Sequence, residues 1–531
     1  MKIKNTVIHI LTLLTAILLI GCSPTPTNDS NASNAEKNIE ENTEPGGELR
    51  VALNAQPPTL DPLVSTADVT RDVALQIFEP LVTINSKLQP VPMLAESIET
   101  SADGKTITFY LRQGVTFHNG KEMTSEDVVA SMERWRGISS RAKAAFSNAK
   151  FVADDTYTIS LELEKPNGTA LAILASSTQL PAIMPKEIVE TADVDGVKEY
   201  IGTGTFKFDE WKQDQYIKLS KYGEYKASSV SSDGKAGKRE ALVDDLYFMI
   251  VTDASMRIAG LQTGNFDIAS EVPFDSFAQL EADPNLKTYT GPRGFNILVF
   301  NKQEGPFSNV KIRQAVAAAL DMDAILKASH SDEQFYETNP GLMQEDQTDW
   351  YTDAGHELYN QKNPKKAKQL LEEAGYNGEP VTFLTSRDYV DFYNASVVIK
   401  EQLENIGMKV NLEVYDWATI IDKQRKPSDY DAFITGFGIN TDPTQFLFLH
   451  SKNEWAGWTN DPKIDDLIEE IRGAASEEEA KAIFEKLQLE MWEYLPIIKF
   501  GDKKFLYAMN KDVEGFQDVV GMALWNVKKS K

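Results

Sequence analysis

The sequence predicts an α/β chain with sheets in more than one lobe. Three observations carry this. Stretches that alternate apolar and polar residues are interspersed with stretches of helical period. Residues 380–415 read as a strand, a helix and a second strand, a βαβ unit. About 485 residues follow a polar leader, more than a single core accommodates, so two or three domains are expected.

The elements follow in order. Residues 47–53 alternate as a strand, and 105–120 read as a hairpin-rich β stretch after an Ala102-Asp103-Gly104-Lys105 turn. Residues 155–166 alternate again until Pro166 stops them. Gly202 and Gly204 predict a tight turn. Residues 216–222 and 242–251 are further strands. Ile312, Ala315, Val316 and Ala319 make one apolar helical face. Asn363 and Pro364 open a helix as N-cap and first helical residue. Ala367, Leu370, Leu371 and Ala374 recur along it, and Gly375 stops it. Then come a strand at 380–386, a helix at 390–406 ended by Gly407, and strands at 408–415 and 430–438. Ser476 and Glu479 form a capping box for a helix reaching Leu495.

The first 46 residues have a different character. Lys2 and Lys4 precede an apolar run over 7–20, the pattern of an export signal at 1–21. The run is shorter than the roughly 20 residues a membrane span needs, and no other stretch is long and apolar enough. Cys22, the only cysteine, follows Leu19-Ile20-Gly21. That site resembles a bacterial lipobox, so Cys22 is expected to be acylated and to become the first residue after cleavage. Residues 22–46 carry no aromatic residue, and the sequence predicts a disordered tether. With Cys22 acylated no thiol remains for a disulfide.

Fifty-four Lys and Arg face 80 Asp and Glu, a net charge of −26. This excludes a basic nucleic-acid surface. There is no G-x-S-x-G elbow, H-E-x-x-H or P-loop, so no enzyme is expected.

Ordered motifs extend the reading: PPTLDP (57–62), the stretch 92–135 beginning PMLAESIET, IGTGTFKFDEW (201–211) and LQTGNFDIA (261–269). FNKQEGPFSNVKIRQAVAAALD (300–321), NPKKAKQLLEEAGY (363–376), YDAFITGFGINTDPTQF (430–446) and WTNDPKIDDLIEEI (458–471) follow. Together they resemble the family-5 extracellular solute-binding proteins of ABC importers, which take dipeptides, oligopeptides or nickel. The resemblance implies a two-lobed periplasmic-binding-protein-like fold of type II, with mixed sheets and an extra subdomain in the first lobe. It places lobe I at 47–275, lobe II at 276–488 and a return to lobe I at 489–531. It implies a monomer without cofactor, working outside the cytoplasm with permease and ATPase subunits. The lipid anchor and the absence of disulfides point to a Gram-positive cell surface. Import and sensing are not separated by sequence.

The resemblance also implies site residues. In dipeptide binders an arginine after a second-lobe strand takes the ligand carboxylate, and Arg387 in TSRDY falls there; otherwise it is a surface arginine. The aspartate that receives the ligand amine corresponds to Ile439, beside Asn440. An isoleucine cannot pair with an ammonium. The ligand is then a peptide held differently, a blocked peptide or an acid without an amine. Against the nickel branch, Phe437 stands for a tryptophan, Thr441 replaces a tyrosine and Trp455 replaces a histidine. His118, His330, His356 and His450 show no metal-ligand spacing. A sugar remains an alternative, since Trp455, Trp458 and Trp525 suit stacking as well as core packing. Gly438 in the same loop, and Thr66 and Asp68 after the first strand, complete the candidates.

Overall fold

Strand Glu48–Leu53 alternates exposed and buried residues at its start and then buries Val51, Ala52 and Leu53. It is therefore an inner strand, paired in parallel with both Asp245–Ile250 and Ile268–Ala269. In the computed structural model, which describes residues 46–474 and 476–530, this strand belongs to an eleven-stranded mixed sheet. One edge carries Phe206–Lys212 and Tyr216–Lys221; the other carries Lys409–Val414, Pro380–Thr385 and Ala432–Phe437. In the middle, Leu286–Phe300 pairs antiparallel with Ile497–Asn510. The signal, Cys22 and all but the last residue of the tether lie outside the described residues.

The apolar side chains gather into separate cores. The first takes residues from Leu49 to Ile268 and again from Phe505 to Val527. The second runs from Phe295 to Phe500. A small third core, including Leu261, Leu280, Leu286 and Leu506, lies where the central strands leave the first. The hand-over falls inside both long strands, later than the boundaries at 275 and 488 read from sequence. Met491, Trp492 and Leu495 belong to the second core because they continue the buried face of helix Glu477–Tyr494. A four-stranded antiparallel sheet, ordered Ala95–Thr100, Thr106–Leu111, Thr158–Glu162 and Lys150–Asp155, packs into the first core. This is the extra subdomain.

Local chemistry accounts for most boundaries. Asn363 accepts from Lys366 N, capping helix Pro364–Glu373, and Ser476 accepts from Glu479 N, capping Glu477–Tyr494. The βαβ unit forms as Pro380–Thr385, helix Val390–Glu404 and Lys409–Val414, with parallel register. The stretch 105–120 differs from its reading. Only Thr106–Leu111 is a strand, and the rest is turn with one bridge between Thr116 and Glu122.

Gly202 and Gly204 also act differently from a strained turn. A Cβ at Gly204 would stand 2.4 Å from Gln76 O, and one at Gly202 would stand 2.1 Å from Ile77 O. These glycines let the chain press against the end of helix Asp68–Ile77, where Gly204 N donates to Ile77 O at 2.9 Å. Gly294, with φ of 113°, does the same on the central strand, where a Cβ would meet Phe437 O at 2.0 Å. Overpacking of this kind costs about 1–3 kcal/mol. Gly204→Ala should therefore lower the unfolding free energy obtained from urea melts by that much, while Gly438→Ala, whose Cβ meets nothing within 4 Å, should leave it unchanged.

Candidate functional site

The turn after the first strand begins the site. Asp61 is wholly buried there. Its carboxylate accepts from Leu63 N at 3.0 Å, Val197 N at 2.9 Å and Arg134 Nη2 at 2.6 Å. A buried carboxylate needs such partners, so the aspartate of PPTLDP holds the turn. Thr66 lies exposed on it.

Asp68 occupies the first turn of its helix, where the helix dipole favours an acid. It accepts from Arg71 Nη1 at 2.6 Å and from Arg293 Nη2 at 2.8 Å. Arg293 sits on the long strand Leu286–Phe300 and also reaches Glu271 at 2.5 Å. Burial pushes the Asp68 carboxyl up, but Arg71 and Arg293 outweigh it and hold the group below its usual range.

The second core supplies a matching pair. Asp391, in the first turn of helix Val390–Glu404, accepts from Asn296 Nδ2 at 2.8 Å and Lys503 Nζ at 3.1 Å. Asn296 and Lys503 stand on the two long strands. Burial raises the Asp391 carboxyl, and Lys503 with Asn296 brings it below the ordinary value. Tyr389 precedes this helix with its ring 4.8 Å from Phe392 and 5.1 Å from Trp417. Burial pushes its hydroxyl up to about 12, helped by the charges of Asp68, Glu271 and Asp391. Those carboxylates come from both sides, so residues attached to the two cores meet here.

The remaining candidates, Trp525 apart, lie on the side of the second core. Arg387 is exposed; its guanidinium lies 4.6 Å from the Tyr393 ring centre and donates to the Tyr393 hydroxyl at 3.0 Å. Phe437 is half-buried among Phe295, Phe446, Phe448 and Trp455. Gly438 is exposed and Ile439 half-buried. Asn440 is buried, and its Nδ2 has no partner among the described residues. Asp442 is wholly buried and caps the short turn Pro443–Gln445, accepting from Thr444 N at 2.9 Å. Trp455 and Trp458 are half-buried against the second core. They line a cavity of about 360 Å³ built only from 302–303 and 447–460. Trp525 is buried in the first core under Arg239, 4.0 Å from its ring.

The histidines are dispersed. His118 bonds to Gly204 O and Gly202 N, and burial lowers its ring to about 4. His450 lies between Asp465 and Glu469. Among the described residues no three His, Cys, Asp or Glu side chains form a metal-holding group.

Sequence reasoning missed Arg71, Glu271, Arg293, Tyr389, Asp391 and Lys503. Only Arg293 leaves a signal, as a charged residue between Gly291 and Gly294 in an otherwise continuous strand.

Residues 89–458 match the model of the bacterial extracellular solute-binding proteins, family 5. The chain belongs to this family, the extracytoplasmic solute-binding proteins of ABC importers. It is 29% identical over 493 residues to a probable peptide ABC transporter periplasmic-binding protein of Sinorhizobium fredii, covering 88% of this chain and 91% of that one. It is 27% identical to the oligopeptide-binding protein AppA of Bacillus subtilis, covering 100% and 99%. The structure of AgaA from A. tumefaciens R10 in complex with agropinic acid superposes with a TM-score of 0.78 at 29% identity, covering 91% and 99%. No helix among the described residues is long and apolar enough to cross a membrane.

In this family-5 protein the first core also buries a lone lysine close to the site. Lys235 Nζ donates to Ser177 Oγ and to Val520 O. Burial pushes its ammonium down to about 7, with Arg71 adding to the effect and Asp518 opposing it. In an unfolded chain a lysine keeps its proton to about pH 10.4. Between those values the unfolded chain holds one proton more, so stability should rise with pH from 7 towards 10. The slope contributed is at most about 1.4 kcal/mol per pH unit. Urea melts of Lys235→Met should lose this slope; an unchanged slope would assign it to other groups.

Proposed function

We propose that the chain captures a peptide, a dipeptide or longer, in the cleft between its two cores and delivers it to the permease and ATPase subunits of an importer. It works as a monomer held at the cell membrane, on a Gram-positive surface, by an acylated Cys22. It binds and releases its cargo without covalent chemistry. The observation that carries the reading is the cleft itself, walled by different cores and crossed by two continuous strands. B. subtilis AppA, whose solved structure holds a nonapeptide, supports the cargo class. Cargo drives closure only if it binds the closed form better than the open one, so it must touch both walls. Arg387 would take its carboxylate with a guanidinium whose partner so far is a neutral tyrosine. Thr66 and Asp68 would face it from the first wall, and Phe437, Gly438, Asn440, Trp455 and Trp458 from the second.

A second reading is an amine-free organic acid. Ile439 stands on the cleft loop and offers nothing to an ammonium, and AgaA was solved with agropinic acid.

Protein purified without denaturation should release a peptide detectable by mass spectrometry. That peptide should bind Arg387→Ala at least tenfold more weakly in calorimetry. An amine-free acid in its place would favour the second reading, and unchanged affinity would remove Arg387 from the site. In a separate experiment, Cys22→Ser should abolish incorporation of labelled fatty acid and release the protein into the medium. Label persisting on the variant would overturn the anchor.

A further inference from the structure

Away from the hinge the two cores touch again along a seam. Gly168 N donates to Arg472 O at 2.8 Å, and Thr441 Oγ1 donates to Ala172 O at 3.1 Å. Inside this seam is a cavity of about 10 Å³, bordered by Arg141 and Ile173 on one side and by Thr444, Gln445 and Arg472 on the other. That is roughly the room of one water-sized body.

The walls of this cavity carry one unanswered donor, Arg472 Nε, and one unanswered acceptor, Gln445 Oε1. Arg141 Nη1 donates to Ser176 Oγ at 2.7 Å, a neutral partner. Arg472 Nη1 donates to Glu469 at 3.0 Å, but Arg472 Nε has no partner among the described residues, and the residue is only 7% exposed. Two guanidiniums border one void, where an anion would be favoured.

The protein's own anions are committed elsewhere. Asp442, the carboxylate closest to Arg141, is taken by Thr444 N at 2.9 Å, Thr444 Oγ1 at 2.6 Å and Gln445 Nε2 at 2.5 Å. Burial pushes its carboxyl up. Glu469 is divided among Arg472, His450 and Lys452. Asn453 Nδ2 is spent on Leu447 O at 3.0 Å. Gln445 leaves its Oε1 unpartnered on the same wall. A half-turn of that amide would offer a third donor, at the loss of its bonds to Asp442 and Thr441.

We propose that the seam is a binding site for one small, singly charged anionic group, held between Arg141 of the first core and Arg472 Nε of the second. Because each core supplies half of it, the site exists only when the lobes are shut, and its occupant favours the closed form. This rests on the two cores acting as lobes that part and close. The same chemistry is met by a free halide or by a carboxylate of the cargo.

The test uses the full chain freed of cargo, with a donor and acceptor dye on the two lobes. Chloride is titrated against gluconate at constant ionic strength. A free-anion site predicts a closed fraction that rises with chloride, and a bromide anomalous peak at the seam. Arg141→Met should weaken the chloride midpoint at least tenfold, while Arg141→Lys retains part of it. A cargo-carboxylate site predicts no chloride response. Trialanine should then close the protein at least tenfold more readily than trialaninamide, with the difference lost in Arg141→Met. A chloride response indifferent to Arg141→Met overturns the proposal, as does the absence of both chloride and acid-against-amide effects. Failure of trialanine to bind, with the chloride response intact, counts against peptide cargo and leaves the seam site standing.

Discussion

The pairing of Leu286–Phe300 with Ile497–Asn510 is the constraint on which the rest depends. Each strand starts in one core and ends in the other. A ladder of backbone hydrogen bonds is stiff along its length, so the lobes cannot separate by translation. They can only bend where the ladder is weakened. It is weakened in the middle, with register shifts between Pro292 and Gly294 and between Phe295 and Ile297. Such bulges bend a strand and increase its local twist. The same short interval carries Arg293, Asn296 and Lys503, the groups that hold the carboxylates of both walls. The point of flexure and the charged floor of the cleft are thus one structure.

This arrangement has an electrostatic consequence. Asp391, largely removed from solvent, would be costly if left alone, and Asp68 gains from the charges beside it. Each is tied to a residue on the central strands, Asp68 to Arg293 and Asp391 to Lys503. Arg293 is tied in addition to Glu271. Hinge-bending proteins absorb their motion at a few such positions.

Local signals made much of the fold legible. The βαβ unit, the Asn363 and Ser476 caps and the apolar face of residues 312–319 follow from spacing alone. The hand-over between the two cores does not, because it falls inside strands, where apolar alternation continues without a break. The Gly202–Gly204 pair was read as a turn because sequence does not reveal a neighbour, here the carbonyls of Gln76 and Ile77. The hinge cluster escaped for the same reason. Asp68, Glu271, Arg293, Asp391 and Lys503 are distant in sequence and acquire meaning only when the long strands pair. Asp68 was found because it follows the first strand closely.

The second wall limits what the cleft accepts. Thr385 ends its strand, Asn296 faces Gly436 just before the end of a parallel neighbour, and Asn440 follows three residues beyond. Ligands of open α/β sheets bind at these carboxyl ends. Thr385 Oγ1, Asn296 Oδ1 and Asn440 Nδ2 all lack a protein partner while buried. A buried group left so costs about 1–3 kcal/mol, a cost that a partner from outside the protein would relieve. A partner satisfying all three would bring both a donor and an acceptor. A peptide unit does, through its N–H and C=O, and so does an amide-bearing acid. A plain hydrocarbon does not. None of the three unpartnered atoms carries a charge, so this wall reads polar backbone-like groups, and the charge of the cargo has to be answered elsewhere in the cleft.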